Sequence, residues 1–222
     1  MKLFEKTTSN RGFSLLEMSI TLTIIALIAA AVLTGQRMKH RQELNQIISD
    51  ISNITSAVAQ FKETYGGLPG DLLDATTVLS ASTSNGNGDD DLDTGTPNEE
   101  LFFWQHLALA GLISGTYDGV TSGDGGVMES PLGYGFYFAN KVTGGDLFIK
   151  ISKTSNGGLF TTKEAYDFDL KYDDSSPTQV TGSIIVAEDG ADAAANDCVT
   201  VGNAYNLANT TGTPCVLNFF LE

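Results

Sequence analysis

The chain has 222 residues, with 12 basic and 27 acidic side chains for a formal net charge of −15, and is 41% apolar and 18% charged. That length suits one ordinary domain, or a small domain with an extension. The acidic balance argues against a nucleic-acid-binding surface, and the apolar content excludes a disordered polyelectrolyte.

The charge is unevenly spread. Residues 1–41 hold six basic residues (Lys2, Lys6, Arg11, Arg37, Lys39, Arg41) against Glu5 and Glu17, and residues 42–222 hold the other six against 25 acidic ones. A basic, apolar head therefore precedes an acidic, soluble body.

From Phe13 to Leu33 (FSLLEMSITLTIIALIAAAVL) run 21 residues with one charge, Glu17, and no Pro or Gly. As a helix this segment is about 30 Å long, enough to cross a bilayer core. A buried core helix seldom stays apolar on every face for so long. A secretory signal peptide shares the basic leader, but its apolar run is shorter and its small-residue cleavage site follows that run. Here the best such site, around Ala29-Ala30-Ala31, lies inside the run. A plain anchor leaves two facts unexplained. Glu17 sits one turn inside the apolar segment, where an acid costs roughly 2.5–3.5 kcal/mol on insertion scales, and Gly12 stands at its border.

The stretch Arg11-Gly12-Phe13-Ser14-Leu15-Leu16-Glu17 resembles the processing site of type IV prepilins and of the related pseudopilins of type II secretion. The resemblance covers about residues 6–70. It implies that a membrane peptidase cuts after Gly12, that the new N-terminal Phe13 is N-methylated, and that Glu17 becomes the fifth mature residue. It also implies a role for Glu17 in assembly, neutralising the Phe13 amine of a neighbouring subunit; a buried carboxylate is tolerable when paired and hydrogen-bonded. The other reading is that Glu17 only favours the positive end of the helix dipole. Arg37, Lys39 and Arg41 follow the span, so both flanks are basic and counting Lys and Arg does not orient it. The leader motif does.

Beyond the span, Leu44, Ile47, Ile48, Ile51, Ile54, Val58 and Phe61 form one helical stripe, opposite Gln46, Ser49, Asp50, Asn53, Gln60 and Glu63. The spacing predicts one helix from about Ser14 to Thr64, stopped by Gly66-Gly67 and Pro69, with Gly35 as a soft point. The organisation expected is a leader at 1–12, a membrane and polymerisation helix at 13–34, its amphipathic continuation at 35–65, and a soluble head at 66–222 with a loop-rich insert at 66–126.

Ser82–Pro97 (STSNGNGDDDLDTGTP) reads as a loop. It holds a candidate calcium site: with Asp89 as position 1 of a 12-residue calcium loop, Asp91, Asp93 and Glu100 fall at ligand positions 3, 5 and 12. Thr94 occupies the turn position that needs Gly, and Pro97 falls inside the loop. The plainer reading is a solvated acidic loop. Thr96-Pro97-Asn98-Glu99 reads as a capping box with Pro at the first helical position, opening a helix over 99–110 that ends at Gly111. His106, with no second His nearby, reads as a helix-surface residue rather than a zinc ligand.

Gly133–Asn140 and Asp146–Ser152 alternate apolar and polar residues around Val142-Thr143-Gly144-Gly145, the pattern of a hairpin. Thr161–Asp174 opens with a Thr161/Glu164 capping box and reads as a short helix. Val180–Ala187 and Cys215–Glu222 read as the last strands. The fold class is α+β: a long N-terminal helix packed on a small antiparallel sheet, as the pilin resemblance also implies.

Cys198 and Cys215 flank 16 residues. Even parity in an exported chain favours a disulfide over two free thiols, and closing a loop of that length is worth roughly 3 kcal/mol. The resemblance agrees, since pilins often carry a C-terminal disulfide loop.

No nucleophile elbow, phosphate-binding glycine loop or C-x-x-C or H-E-x-x-H pattern occurs, and the acids Asp167, Asp169, Asp173 and Asp174 read as solvated. The readings left are a structural subunit of a pilus or pseudopilus, and a low-copy pilin-like binding module at a filament tip. Partners implied by the resemblance are other pilin or pseudopilin subunits, the prepilin peptidase/methyltransferase and an inner-membrane assembly platform, with no nucleic acid. The implied location is the inner membrane, with the head outside the cytoplasm, and then a filament.

Overall fold

The computed structural model describes residues 12–95, 97–141, 144–153, 156–178, 185–195 and 197–221. The chain divides into two units, Met1–Glu43 and Leu44–Glu222. The division falls inside the first helix, α1 (Leu15–Tyr65), which runs unbroken through Gly35. In the first unit every described residue up to Gln42 is exposed. From Leu44 onward the stripe read from the sequence turns inward: Ile47, Ile51, Ile54, Val58 and Phe61 are buried, joined by Ala57, with Leu44 and Ile48 packed at the edge. At the end of α1, Gly66 takes a left-handed φ of 75°, and its N–H closes on the Lys62 carbonyl at 2.9 Å.

The head adds a one-turn helix α2 (Ala75–Val78) and α3 (Glu99–Leu109). The sheet comprises β1 (Met128–Glu129), β2 (Gly135–Asn140), β3 (Phe148–Lys153), β4 (Ile185–Asp189) and β5 (Cys215–Phe220), with α4 (Thr162–Tyr172) between β3 and β4. Its order is β1-β2-β3-β5-β4, and each neighbouring pair is antiparallel. This is the α+β arrangement expected. The β2–β3 hairpin is present, with Asn140 opposite Phe148. Val142 and Thr143 of its turn lie outside the described residues, as do residues 180–184 of the expected strand at 180–187.

Strand alternation sends Tyr137, Ala139, Ile149, Ile151, Leu217 and Phe219 into the core. There the Phe168 ring of α4 meets the Phe219 ring edge-on at 6.4 Å. The α4 capping box forms as read: Thr161 Oγ1 accepts from the Glu164 N–H at 3.2 Å, and Glu164 Oε2 accepts from the Thr161 N–H at 2.9 Å. Cys198 and Cys215 are joined in a disulfide with Cα atoms 5.1 Å apart, tying the last loop to β5.

Three polar readings need correction. Asp50, assigned to the polar face of α1, is half-buried and accepts from Tyr137 Oη at 2.9 Å, linking α1 to β2. Asp169 is not solvated: it is buried, and accepts from Tyr205 Oη at 2.7 Å and the Ser175 N–H at 2.8 Å. His106 is not on the surface of α3. It is fully buried; its Nδ1 accepts from the Gly70 N–H at 3.0 Å, which leaves Nε2–H to donate to the Ser84 carbonyl at 3.1 Å. Burial holds its pKa down at about 4.

Candidate functional site

The start of α1 carries the residues singled out in the sequence. Gly12 is exposed, and a Cβ built on it would meet nothing within 4 Å. Its φ is not in the left-handed region, so neither space nor backbone conformation asks for glycine here. Phe13 is 76% exposed. Ser14 is the N-cap of α1: its carbonyl accepts the Met18 N–H at 3.1 Å, and its Oγ accepts the Leu16 N–H at 3.3 Å. Glu17 Oε2 in turn accepts from the Ser14 N–H at 3.2 Å. The carboxylate thus stands at the positive end of the helix dipole and within one turn of the Gly12–Phe13 bond.

The segment that follows is built for an apolar medium. Ile20, Leu22, Ile24, Ile25, Leu27 and Ile28 are all exposed. The hydroxyls among them turn back on their own helix: Ser19 donates to the Leu16 carbonyl, Thr21 to Met18, Thr23 to Ile20 and Thr34 to Ala30, all at 2.8–3.0 Å. A polar group that satisfies itself costs little in lipid. Among the described residues α1 is the one helix long and apolar enough to cross a membrane.

The acidic loop of the head is organised differently from the calcium-loop reading. Of Asp89, Asp91, Asp93 and Glu100, only Asp89 joins a gathering of carboxylates, and its companions are Asp71 and Glu99, with oxygens within 4.8 Å of one another. Glu100 turns to the sheet and accepts from Asn140 Nδ2. Asp93 accepts from Asn87 Nδ2 at 3.1 Å, a group that also serves Asp89 at 3.0 Å. The N–H of Asp91 is taken by Asp89 Oδ1 at 3.0 Å.

Asp71 was not singled out by spacing, and Glu99 was read only as the acid of a capping box. Both are buried. Asp71 accepts from the Gly88 N–H at 2.5 Å and the Asp90 N–H at 2.8 Å. Glu99 accepts from the Asn87 N–H at 2.7 Å and the Asp93 N–H at 3.1 Å. The N-cap of α3 is Asn98, without a side-chain bond, and Pro97 lies before it. Thr96 itself lies outside the described residues. Burial raises the Glu99 pKa, opposed by its two backbone donors. The loop is therefore fastened by two buried carboxylates that collect backbone N–H groups. Gly70 is required beside them: its φ is 93°, and a Cβ there would fall 2.4 Å from the Glu99 carbonyl oxygen.

Residues 7–33 match the family model described as the prokaryotic N-terminal methylation motif, the signature of type IV prepilins and pseudopilins. The match spans Gly12, Phe13 and Glu17 together with the apolar run. No curated protein and no solved structure matches the chain.

Proposed function

We propose that the protein is a structural subunit of a type IV pilus or a type II secretion pseudopilus, made as a membrane-anchored precursor and assembled through α1. The observation that carries this reading is the placement of Gly12, Phe13 and Glu17 at the capped start of a helix whose next turns are apolar and exposed on every side. Gly12 supplies the small residue that a peptidase subsite accepts, since the fold itself does not require it. Phe13 then becomes the free N-terminus and the site of methylation. Cleavage creates an amine next to Ser14, and Glu17 is poised to pair with such an amine on a neighbouring subunit when helices replace lipid around the span. The head faces away from the cytoplasm, where a disulfide persists, and the assembly platform of the membrane is the remaining partner.

Replacing Gly12 by Val tests the cut site: the leader should stay on, and normal processing of G12V would remove this assignment. Glu17→Ala tests assembly. The precursor should be exported and cut, with filament yield reduced at least tenfold, and a wild-type yield would refute the pairing role.

A second reading, a low-copy subunit presenting a binding surface at a filament tip, is favoured by Tyr134. Its ring is 91% exposed and its backbone is held at a φ of 59° in the β1–β2 connection, an uncommon conformation for a bulky residue. Copy number in sheared filaments separates the two, because a tip subunit is present once or a few times per filament.

A further inference from the structure

Arg37, Lys39 and Arg41 stand on the side of the span opposite the leader and are used by neither processing nor the Glu17 pairing. All three are exposed. Lys39 Nζ pairs with Glu43 Oε1 at 2.8 Å, and His40 Nδ1 lies 3.7 Å from Glu43 Oε2. Arg37 and Arg41 have no partner among the described residues. At 3.6 residues per turn, Arg41 lies about 40° around the helix from Arg37, Lys39 about 200° and His40 about 300°. Arg37 and Arg41 therefore share one side of the helix and Lys39 stands on the other, so basic groups face outward on two opposite sides. A protein neighbour would meet one side; a headgroup layer meets both.

Depth agrees with this. Arg37 follows Leu33 by four residues, or about 6 Å of helix, within the thickness of a headgroup layer. Arg41 is one turn further out, and a long arginine side chain reaches back to the interface.

We infer that Arg37 and Arg41, with Lys39, form a collar for the phosphate groups of anionic phospholipid in the leaflet away from the leader, setting the depth of the span before assembly. The inference rests on the reading that Phe13–Leu33 crosses a membrane. It also accounts for basic residues on both flanks, because the collar answers to headgroups and not to topology.

The test reconstitutes the full chain, and the Arg37→Gln/Arg41→Gln variant, into vesicles of phosphatidylcholine alone and of equal phosphatidylcholine and phosphatidylglycerol. Flotation reads the span; the phosphatidylglycerol retained per chain on mild delipidation reads the collar. Wild type should float with both vesicles and retain phosphatidylglycerol over phosphatidylcholine. Each arginine near an anionic surface contributes roughly a fivefold preference, so the double variant should float equally well and lose most of that enrichment. Arg37→Lys/Arg41→Lys should restore it, and 0.5 M salt should weaken it. Equal retention in wild type and the double Gln variant, with flotation intact, overturns the collar alone. If that variant also lost filament yield, the arginines would instead serve carboxylates of a neighbouring subunit. Failure to float with either vesicle would overturn the membrane reading and the collar with it.

Discussion

Leu22 and Leu107 are the same side chain in opposite surroundings: Leu22, on the first unit, is 66% exposed, and Leu107, on α3, is 0% exposed. Burying a large aliphatic side chain is worth about 1.5–3 kcal/mol. In the head that gain is made within one chain, among Phe61, Trp104, Leu107 and the inner face of the sheet, so it stabilises the folded monomer. In the first unit the same apolar surface stabilises nothing until lipid or other helices cover it. The two units also treat polar groups differently. Hydroxyls of the span bond to their own backbone a turn away, whereas several buried or half-buried polar groups of the head bond across long stretches of chain, as Asp50 does with Tyr137 and His106 with Gly70.

Matched substitutions sharpen this contrast most strongly. Phe61→Ala, at a fully buried ring tilted against Tyr65 with centroids 4.6 Å apart, should destabilise the head by about 3–5 kcal/mol. Leu22→Ala should leave the head's denaturation midpoint unchanged. A comparable loss in both would show that the span is packed in the monomer.

Acid should act on the head through His106. Its folded pKa of about 4 lies below the ordinary value of 6.5, so the unfolded chain takes up the proton first. The contribution is fully present above about pH 6.5 and is lost as pH falls toward 4, for a total of about 3 kcal/mol. The carboxyls of Glu99, Glu100 and Asp169 are raised chiefly by burial and work the other way. The measurement is therefore the stability lost between pH 7 and pH 4.5, read from urea titrations of wild type and His106→Asn, and an equal loss in the two proteins would contradict the assignment.

Reducing the Cys198–Cys215 bond should cost the head about 3 kcal/mol, read as a lower denaturation midpoint with dithiothreitol, and leave the helicity of the span unchanged. The smallest effect expected is at the α4 cap, where Thr161→Ala should cost about 1 kcal/mol in the same denaturation assay.

What was legible in the sequence was local. The span follows from 21 residues of unbroken apolarity, the buried stripe of α1 from helical spacing, and the β2–β3 hairpin from alternation around a turn. The α4 cap follows from Thr161 and Glu164 lying three residues apart. Contacts between distant segments were not legible. His106 bonds to Gly70 and Ser84, 36 and 22 residues away, and a lone histidine on a helix carries no sign of which way it faces. Asp71 reaches Gly88 and Asp90 across 17 and 19 residues, so the acidic run at 89–93 drew attention to itself while a buried carboxylate outside the run fastened it. At the processing segment the offsets of Gly12, Phe13 and Glu17 were legible because they lie within six consecutive residues. The cap in which Glu17 takes the Ser14 N–H while Ser14 Oγ takes the Leu16 N–H lies within the same few residues and went unread.

The most direct test of the account is the intact mass of the protein purified from its native membrane. Processing predicts the loss of residues 1–12 and the gain of one methyl group on Phe13. A full-length chain beginning at Met1 would contradict the account and leave a membrane-anchored protein with an acidic head in place of a filament subunit.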